Sequence, residues 1–366
     1  MQQVEEDFLT LKFARVGLSP ALKKFIFDAY SGAKQEDLVR RIDIANAIAK
    51  KIGAPIPNDV DLKKEIGFHL KHGARIIGMH HKCYPQVLKA ISSAPVALSV
   101  KGQINTLERL TASIAGTRDP DELDFGIIRE IVYWINKSGF VVASGLAVGT
   151  DNIAHLESMN EGTIGIIGCG FFHNYPRDNE LFVKKIIEKG GCIVSEYAYK
   201  EPPRASNFIR RDRLIAGIST SVFIMRARAF RCGTMATARF AKSFGRKIYT
   251  VDFQHDCAGN HYLLNSGAAE KITSFEQVRA GLVMDLFNFK NSIEKDKETT
   301  AQNQLFDTQI DTKNIAKEIG KWLKNSNYQS INENNFLKIY ELCKKDIGAP
   351  EMEVKRGVLE KMFENY

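Results

Sequence analysis

From residue 111 to residue 250 the sequence repeats one unit: a short run rich in Ile and Val, a loop opening on small residues, then apolar positions at helical spacing. TASIAG, FVVASG, TIGIIGCG, CIVSE, SVFIM and KIYTV are the apolar runs. Ile128, Ile131, Val132 and Ile135 mark one intervening helix, and 178–189 and 234–244 are two more, ending near Gly190 and Gly245. About six strands alternating with helices predict an α/β fold with a doubly wound, mainly parallel sheet. Such sheets carry their sites at the carboxyl ends of the strands. That singles out the loops Gly116-Thr117-Arg118, Ser144-Gly145 and Gly168-Cys169-Gly170.

Around this repeat the chain changes texture. Roughly the first 95 residues lack β alternation and read as short helices broken at Gly17, Gly32, Gly53 and Gly73, so residues 1–100 form a small N-terminal helical domain and a lead-in. Residues 101–284 hold the α/β domain, the polar stretch 285–312 reads as a linker, and 313–366 as a small helical tail. No apolar stretch approaches the ~18 residues that span a bilayer. The first ten residues carry three acids and no base, unlike a secretory signal, so a cytoplasmic location is expected. The cysteines at 83, 169, 192, 232, 257 and 343 are widely spaced with no CxxC pair, which favours reduced thiols over disulfides.

The chain holds 51 Lys+Arg against 43 Asp+Glu, a net charge of +8. Twelve basic and two acidic residues fall between Lys200 and Thr250, so this segment alone carries +10 and the remainder is close to neutral. Basic residues concentrated beside glycine loops point to phosphate contact. Other chemistries lack their fingerprints. Gly320-Lys321 is followed by Trp322, so there is no P-loop, and no G-x-G-x-x-G follows a strand. His255, Cys257 and His261 lack a fourth ligand, and His155 has neither a nucleophile elbow nor an acid partner. No metal and no cofactor are expected.

Three loop signals remain. Gly116 ends a strand where backbone can approach an anion, and Arg118 can fork onto it. Gly145 and Gly149 flank a turn into a helix starting near Thr150, whose amides suit a phosphate unless Asp151 is simply an N-cap. Arg210, Arg211 and Arg213 either contact phosphates or pair with Glu196 and Asp212, at least one of them in the second way.

In order and spacing these loops resemble the signatures of the DNA-processing protein A (DprA/Smf) family. They are Gly116-Thr117-Arg118; Ser144 to Asp151 with Ala154-His155; Gly168-Cys169-Gly170 before Tyr175-Pro176 and Asn179; Ser195-Glu196-Tyr197; and Arg210 to Ser219. Arg231-Cys232-Gly233-Thr234, Gly245-Arg246 and Gly259-Asn260 continue the series, and Gly73 to Gly102 is similar to the family's lead-in. The resemblance implies a Rossmann-like domain preceded by a SAM-like one, and a tail loosely similar to a winged helix. It also implies a protein not known as an enzyme, a homodimer that binds and protects single-stranded DNA in a basic pocket and loads RecA recombinase during natural transformation. Carried over, Arg118 is the pocket arginine, Arg177 a second basic contact, and Phe171 and Phe172 a stacking face. Gly116, Thr117, Ser144, Gly145, Gly149, Gly168, Gly170, Asn179, Arg210, Arg211, Arg213, Gly233 and Thr234 complete the implied DNA site. Asp212 stands where the family usually has Asn, and Val251-Asp252-Phe253 where Pro-Gly is usual. Two alternatives keep the pocket: a Rossmann-like nucleotide sensor, and a nucleotide N-glycosidic hydrolase-like protein, for which Thr237 occupies the place of the needed glutamate.

Overall fold

The computed structural model describes residues 2–29, 35–173 and 180–301, so Arg177, Asn179 and the tail 313–366 lie outside the described residues. The chain divides into two compact units, residues 1–64 with 290–366, and residues 65–289. In the first, α1 (Gln2–Arg15), α2 (Pro20–Ala29) and α3 (Gln35–Ile52) bury Leu11, Phe13, Leu22, Ile26, Ala45 and Ile48. The turn after α1 requires glycine, because a Cβ on Gly17 would overlap the Pro55 ring, whose carbonyl accepts the Gly17 amide at 2.8 Å. The division at residue 65 falls within α4 (Asp59–Lys71).

The second unit is built on a nine-stranded sheet. Its strands are β1 (Ala74–Gly78), β2 (Ala97–Gly102), β3 (Thr111–Ala115), β4 (Val141–Ser144), β5 (Thr163–Ile166), β6 (Cys192–Ser195), β7 (Ser221–Ile224), β8 (Lys247–Thr250) and β9 (Glu270–Lys271). They lie in the order β1-β2-β6-β5-β4-β3-β7-β8-β9, parallel from β6 to β9. The helices between them are α5 (Gln86–Lys89), α6 (Glu122–Lys137), α7 (Thr150–Glu157), α8 (Glu180–Glu188), α9 (Ala205–Gly217), α10 (Gly233–Ser243), α11 (Ala258–Asn265) and α12 (Phe275–Ala301). This is the doubly wound α/β architecture that the sequence pattern predicts. Successive strand residues face opposite sides, so Ala112, Ile114, Phe223 and Tyr249 pack with α6, α7 and α12, while Ala115, Val222, Ile224 and Ile248 pack with α9, α10 and α11.

Two expectations are corrected. The stretch before residue 95 is not wholly helical, since Ala74–Gly78 pairs antiparallel with β2, which pairs antiparallel with β6. ARIIG is short and buried at four of its five positions, so it shows little alternation. The polar stretch after 285 does not begin as a linker, because α12 runs through it to Ala301. Asp285 is held by the Ser221 hydroxyl at 2.6 Å and the Tyr249 hydroxyl at 2.9 Å, and Leu286 packs on the core.

One ion cluster clamps the sheet to α6. Asp121 and Asp124 form a capping box at the start of α6, each carboxylate accepting the other's amide. Arg226, just past β7, shares its Nε between the two carboxylate oxygens of Asp124 at 2.9 and 2.8 Å, reaches Asp121 with Nη2 at 3.1 Å and donates from Nη1 to the His255 carbonyl. Asp124 and Arg226 are 1% and 4% exposed. Asp124→Ala therefore takes from a buried guanidinium its nearest carboxylate and its only buried one among the described residues, leaving Asp121 and the His255 carbonyl, and removes half a cap, and urea denaturation should record a loss of about 3 kcal/mol. Asp124→Ala combined with Arg226→Met should lose less than Asp124→Ala alone; an additive or larger loss would show that the pair contributes by packing rather than by charge.

Candidate functional site

Chain order reverses at β3: β4, β5 and β6 lie to one side of it and β7, β8 and β9 to the other. The loops leaving β3 and β7 must part, and a crevice opens at the carboxyl end of the sheet. The Met225 amide still bonds the Ala115 carbonyl at 2.8 Å; beyond it loop 116–121 turns to α6 and loop 225–232 to α10. Arg118 is exposed on the first loop, and Arg228 and Arg231 on the second. Arg228 crosses the gap, donating to the Asp119 carbonyl at 2.6 Å with the Asp119 carboxylate 3.5 Å away. α10 starts at exposed Gly233 with Cys232 as its N-cap, no capping side-chain bond and no acid in its first turn. Its first amides and the positive end of its dipole are left for solvent or an anion.

The loop after β4 is built differently. The Thr150 amide bonds the Thr117 carbonyl at 3.0 Å, and Asp151 accepts the Ala147 amide at 3.3 Å. The protein's own oxygens thus close amides expected to be open to a phosphate. Gly149 (φ +84°) serves the closure, because a Cβ there would overlap the Arg118 carbonyl. Ser144 is buried with its hydroxyl on the Ile114 carbonyl at 2.7 Å. Leu146 holds φ +57°, a left-handed conformation costing ~1 kcal/mol for such a residue, compensated by burial of its side chain beside Met159, Ile167 and Ile193.

Under these loops runs Arg211, buried, its Nη1 donating to the Ile166 carbonyl at 3.1 Å. It occupies the space a Cβ on Gly145 would take, between Asp151 and Asp212, whose Oδ1 is 3.5 Å from Nε. Arg213 forks onto Glu196 at 2.9 and 2.5 Å and is also buried, whereas Arg210 is half-exposed, 4.0 Å from Glu196. Of the arginine triplet, only Arg210 reaches solvent. Gly168 and Gly170 likewise join loops, one making room for Phe208 and the other for the Ala198 and Tyr199 carbonyls. Phe171 packs partly into the core and Phe172 is 59% exposed. Thr234 and Thr237 are buried in α10, the Thr237 hydroxyl on the Gly233 carbonyl. His155 is buried against Thr163 at 2.8 Å, and burial lowers its pKa to about 3, so it stays neutral.

Arg228 and Arg231 join the crevice without having been singled out from sequence as site residues, and with them Asp212, marked in the sequence as a partner for the arginines and a departure from the family's Asn. Their signal was the +10 segment, which counts charges without placing them. Asp212 lies beside Gly233, its Oδ2 3.9 Å from where a Cβ would stand. Burial, with Asp151 adding to it, raises the Asp212 pKa to about 7 against the pull of Arg211 and Arg118. Two carboxyls share one buried guanidinium, so the cluster holds a proton near neutrality.

A carboxyl whose folded pKa lies above its unfolded 3.8 favours folding while protonated, and that contribution is lost as pH rises from about 4 toward 7. The stability of Asp212→Asn relative to the parent should rise by about 1–3 kcal/mol between pH 5 and pH 8.5, read by thermal denaturation at each pH. A difference independent of pH would place the proton elsewhere.

Residues 75–282 match the family model described as DNA recombination-mediator protein A. The chain is 31% identical over 208 residues to protein Smf of Escherichia coli (strain K12), covering 56% of this chain and 55% of that protein. It is 31% identical over 205 residues to DNA processing protein DprA of Streptococcus pneumoniae, covering 54% and 71%. The match thus spans about half the length of the Escherichia coli relative. Among solved structures, DNA processing protein A of Helicobacter pylori, described for its single-stranded DNA binding mode, superposes with a TM-score of 0.53 at 26% identity over 58% of this chain and 96% of that one. The Streptococcus pneumoniae protein superposes with a TM-score of 0.54 at 25% identity, over 72% and 86%. With every described residue of the crevice inside the matched segment, the chain belongs to the DNA recombination-mediator protein A family.

Proposed function

We propose that this chain is a recombination mediator that binds single-stranded DNA through the crevice between the β3 and β7 loops. The observation that carries the reading is the meeting of exposed Arg118, Arg228 and Arg231 with the uncapped start of α10. Guanidinium forks and helix amides recognise phosphate without reading sequence, which suits a strand of any composition. The Helicobacter pylori relative, named for its single-stranded DNA binding, supports the same ligand. RecA recombinase and a second copy of the chain are the partners this reading implies. It is a binding rather than a hydrolytic function: Thr237, where a glycosidic hydrolase needs a carboxylate, is buried and bonded to its own helix. Arg177 and Asn179 remain part of the proposed contact set.

Fluorescence anisotropy with a labelled oligo-dT 20-mer and its blunt duplex tests this. The single strand should bind at least about tenfold more tightly, with log affinity falling against log salt by about 0.7 per phosphate neutralised. Reversing Arg118 together with Arg231 to Glu should weaken binding by about a hundredfold or more, with the melting temperature nearly unchanged because both side chains are exposed. Reversing Arg239 with Lys242, exposed on α10, should cost only a few-fold. Equal losses in the two double variants would mean diffuse surface attraction and overturn the crevice.

A further inference from the structure

The two carboxyls that share the Arg211 guanidinium are held unequally. Asp151 accepts the Ala147 amide at 3.3 Å, and the Gly145 amide also favours its charge. Asp212 meets Arg211 only across 3.5 Å, and the Arg211 Nε that faces it is buried with no hydrogen-bond partner among the described residues. The charged groups that face Asp212 are Arg211 on its own helix, Asp151 from α7 and Arg118 from the loop after β3. From α10 it meets the backbone of Gly233, in a first turn that carries no acid. Asp212 therefore stands between the two walls of the crevice, within electrostatic reach of Arg118 on one and beside the exposed first residue of α10 on the other. Burial and the charge of Asp151 keep a proton on it near neutrality.

A phosphate brought to Arg118 places its negative charge close to this carboxyl, in a setting screened less than open water. An ionised Asp212 repels that phosphate and also draws on the arginine the phosphate needs. A protonated Asp212 does neither. Proton and phosphate are thus two ligands coupled through charge, and the coupling is reciprocal: whatever protonation adds to phosphate affinity, the phosphate adds to the affinity for the proton. We propose that Asp212 makes DNA binding at the crevice proton-linked, a strand seating best while the Asp212 carboxyl is protonated and its arrival drawing up to one proton from solvent onto that carboxyl, to be returned when the strand leaves. This rests on the DNA-binding reading above and adds to it the regulation of the site by pH. The carboxyl stands where the family usually has Asn, a side chain of the same shape that cannot ionise, so the linkage belongs to this chain's own residue.

The test follows the affinity for an oligo-dT 20-mer, carrying a dye that does not titrate, from pH 5 to pH 8.5 at constant salt. The parent should bind evenly between pH 5 and pH 6 and lose about 5- to 30-fold by pH 8.5. Asp212→Asn should bind evenly throughout and more tightly than the parent at pH 8.5. Calorimetry at pH 7.5 in buffers of different ionisation enthalpy should record uptake of about half a proton by the parent and none by Asp212→Asn. Asp151→Asn gives a second reading should the first variant fold poorly: without the Asp151 charge Asp212 gives up its proton more readily, so the fall in affinity should begin at lower pH. A dependence that persists in Asp212→Asn belongs to exposed histidines such as His255 and His261 and overturns the proposal, as does one abolished by Asp151→Asn alone. A parent that binds oligo-dT evenly over the whole range overturns the proton linkage and leaves the crevice standing; a parent that binds no oligo-dT at any pH overturns both.

Discussion

The carboxyl edge of the sheet is organised by one buried guanidinium. Arg211 reaches from α9 beneath the loop after β4 to a carbonyl at the end of β5, and it can do so only because Gly145 has no side chain. An unpaired guanidinium there would be prohibitively costly, so Asp151 and Asp212 are drawn to it from α7 and α9. Asp151 in turn takes the Ala147 amide and fixes the turn into α7, whose first amide takes the Thr117 carbonyl. The backbone that carries Arg118 is thereby set by an arginine it does not touch, through the charge of Arg211 on Asp151 and the bond from the Thr150 amide to the Thr117 carbonyl.

The same logic divides the basic segment between 200 and 250. Arg211, Arg213 and Arg226 are buried and face carboxylates, and half-buried Arg246 donates to the Val87 carbonyl at 2.8 Å. Burial without a carboxylate lowers the Arg246 pKa to about 10. These charges hold elements together and contribute little to the field outside. The field that a polyanion meets comes from Lys200, Arg204, Arg210, Arg228, Arg231, Arg239, Lys242 and Lys247 together with Arg118, all exposed. A segment net charge of +10 is thus a correct count, but it mixes internal ties with surface attraction.

What the sequence made legible is what local patterning controls. β3 to β8 were readable because Ile and Val runs alternate with helical periodicity, and the crevice because a doubly wound order forces the loops after β3 and β7 apart. β1 escaped because five mostly buried residues carry no period, and the start of the presumed linker because one polar residue, Asp285, is satisfied by Ser221 and Tyr249, both distant in sequence. The glycines stand out in the sequence, but what each makes room for was not legible. Gly145 and Gly149 make room for Arg211 and for the Arg118 carbonyl, partners that pattern and spacing do not identify.

Dinucleotide-binding sheets seat a pyrophosphate on the helix that follows the first strand of the switch point. Here that place, the start of α6, is filled by Asp121 and Asp124 with Arg226 across them, and at α7 the Thr117 carbonyl takes the first amide while Asp151 takes that of Ala147 in the loop before it. Two of the three helix starts nearest the crevice are therefore closed to a phosphate by the protein's own oxygens. The third, α10, is uncapped, but the Asp212 carboxyl stands beside it. Cationic attraction then falls to arginines spread along a rim rather than to amides converging on one point. A compact nucleotide gains most from convergence, whereas an extended polyanion gains from each separated contact and from the release of a counterion at every one. The distribution of open and closed helix starts is thus the physical support for the proposal of a strand, rather than a small nucleotide, as ligand.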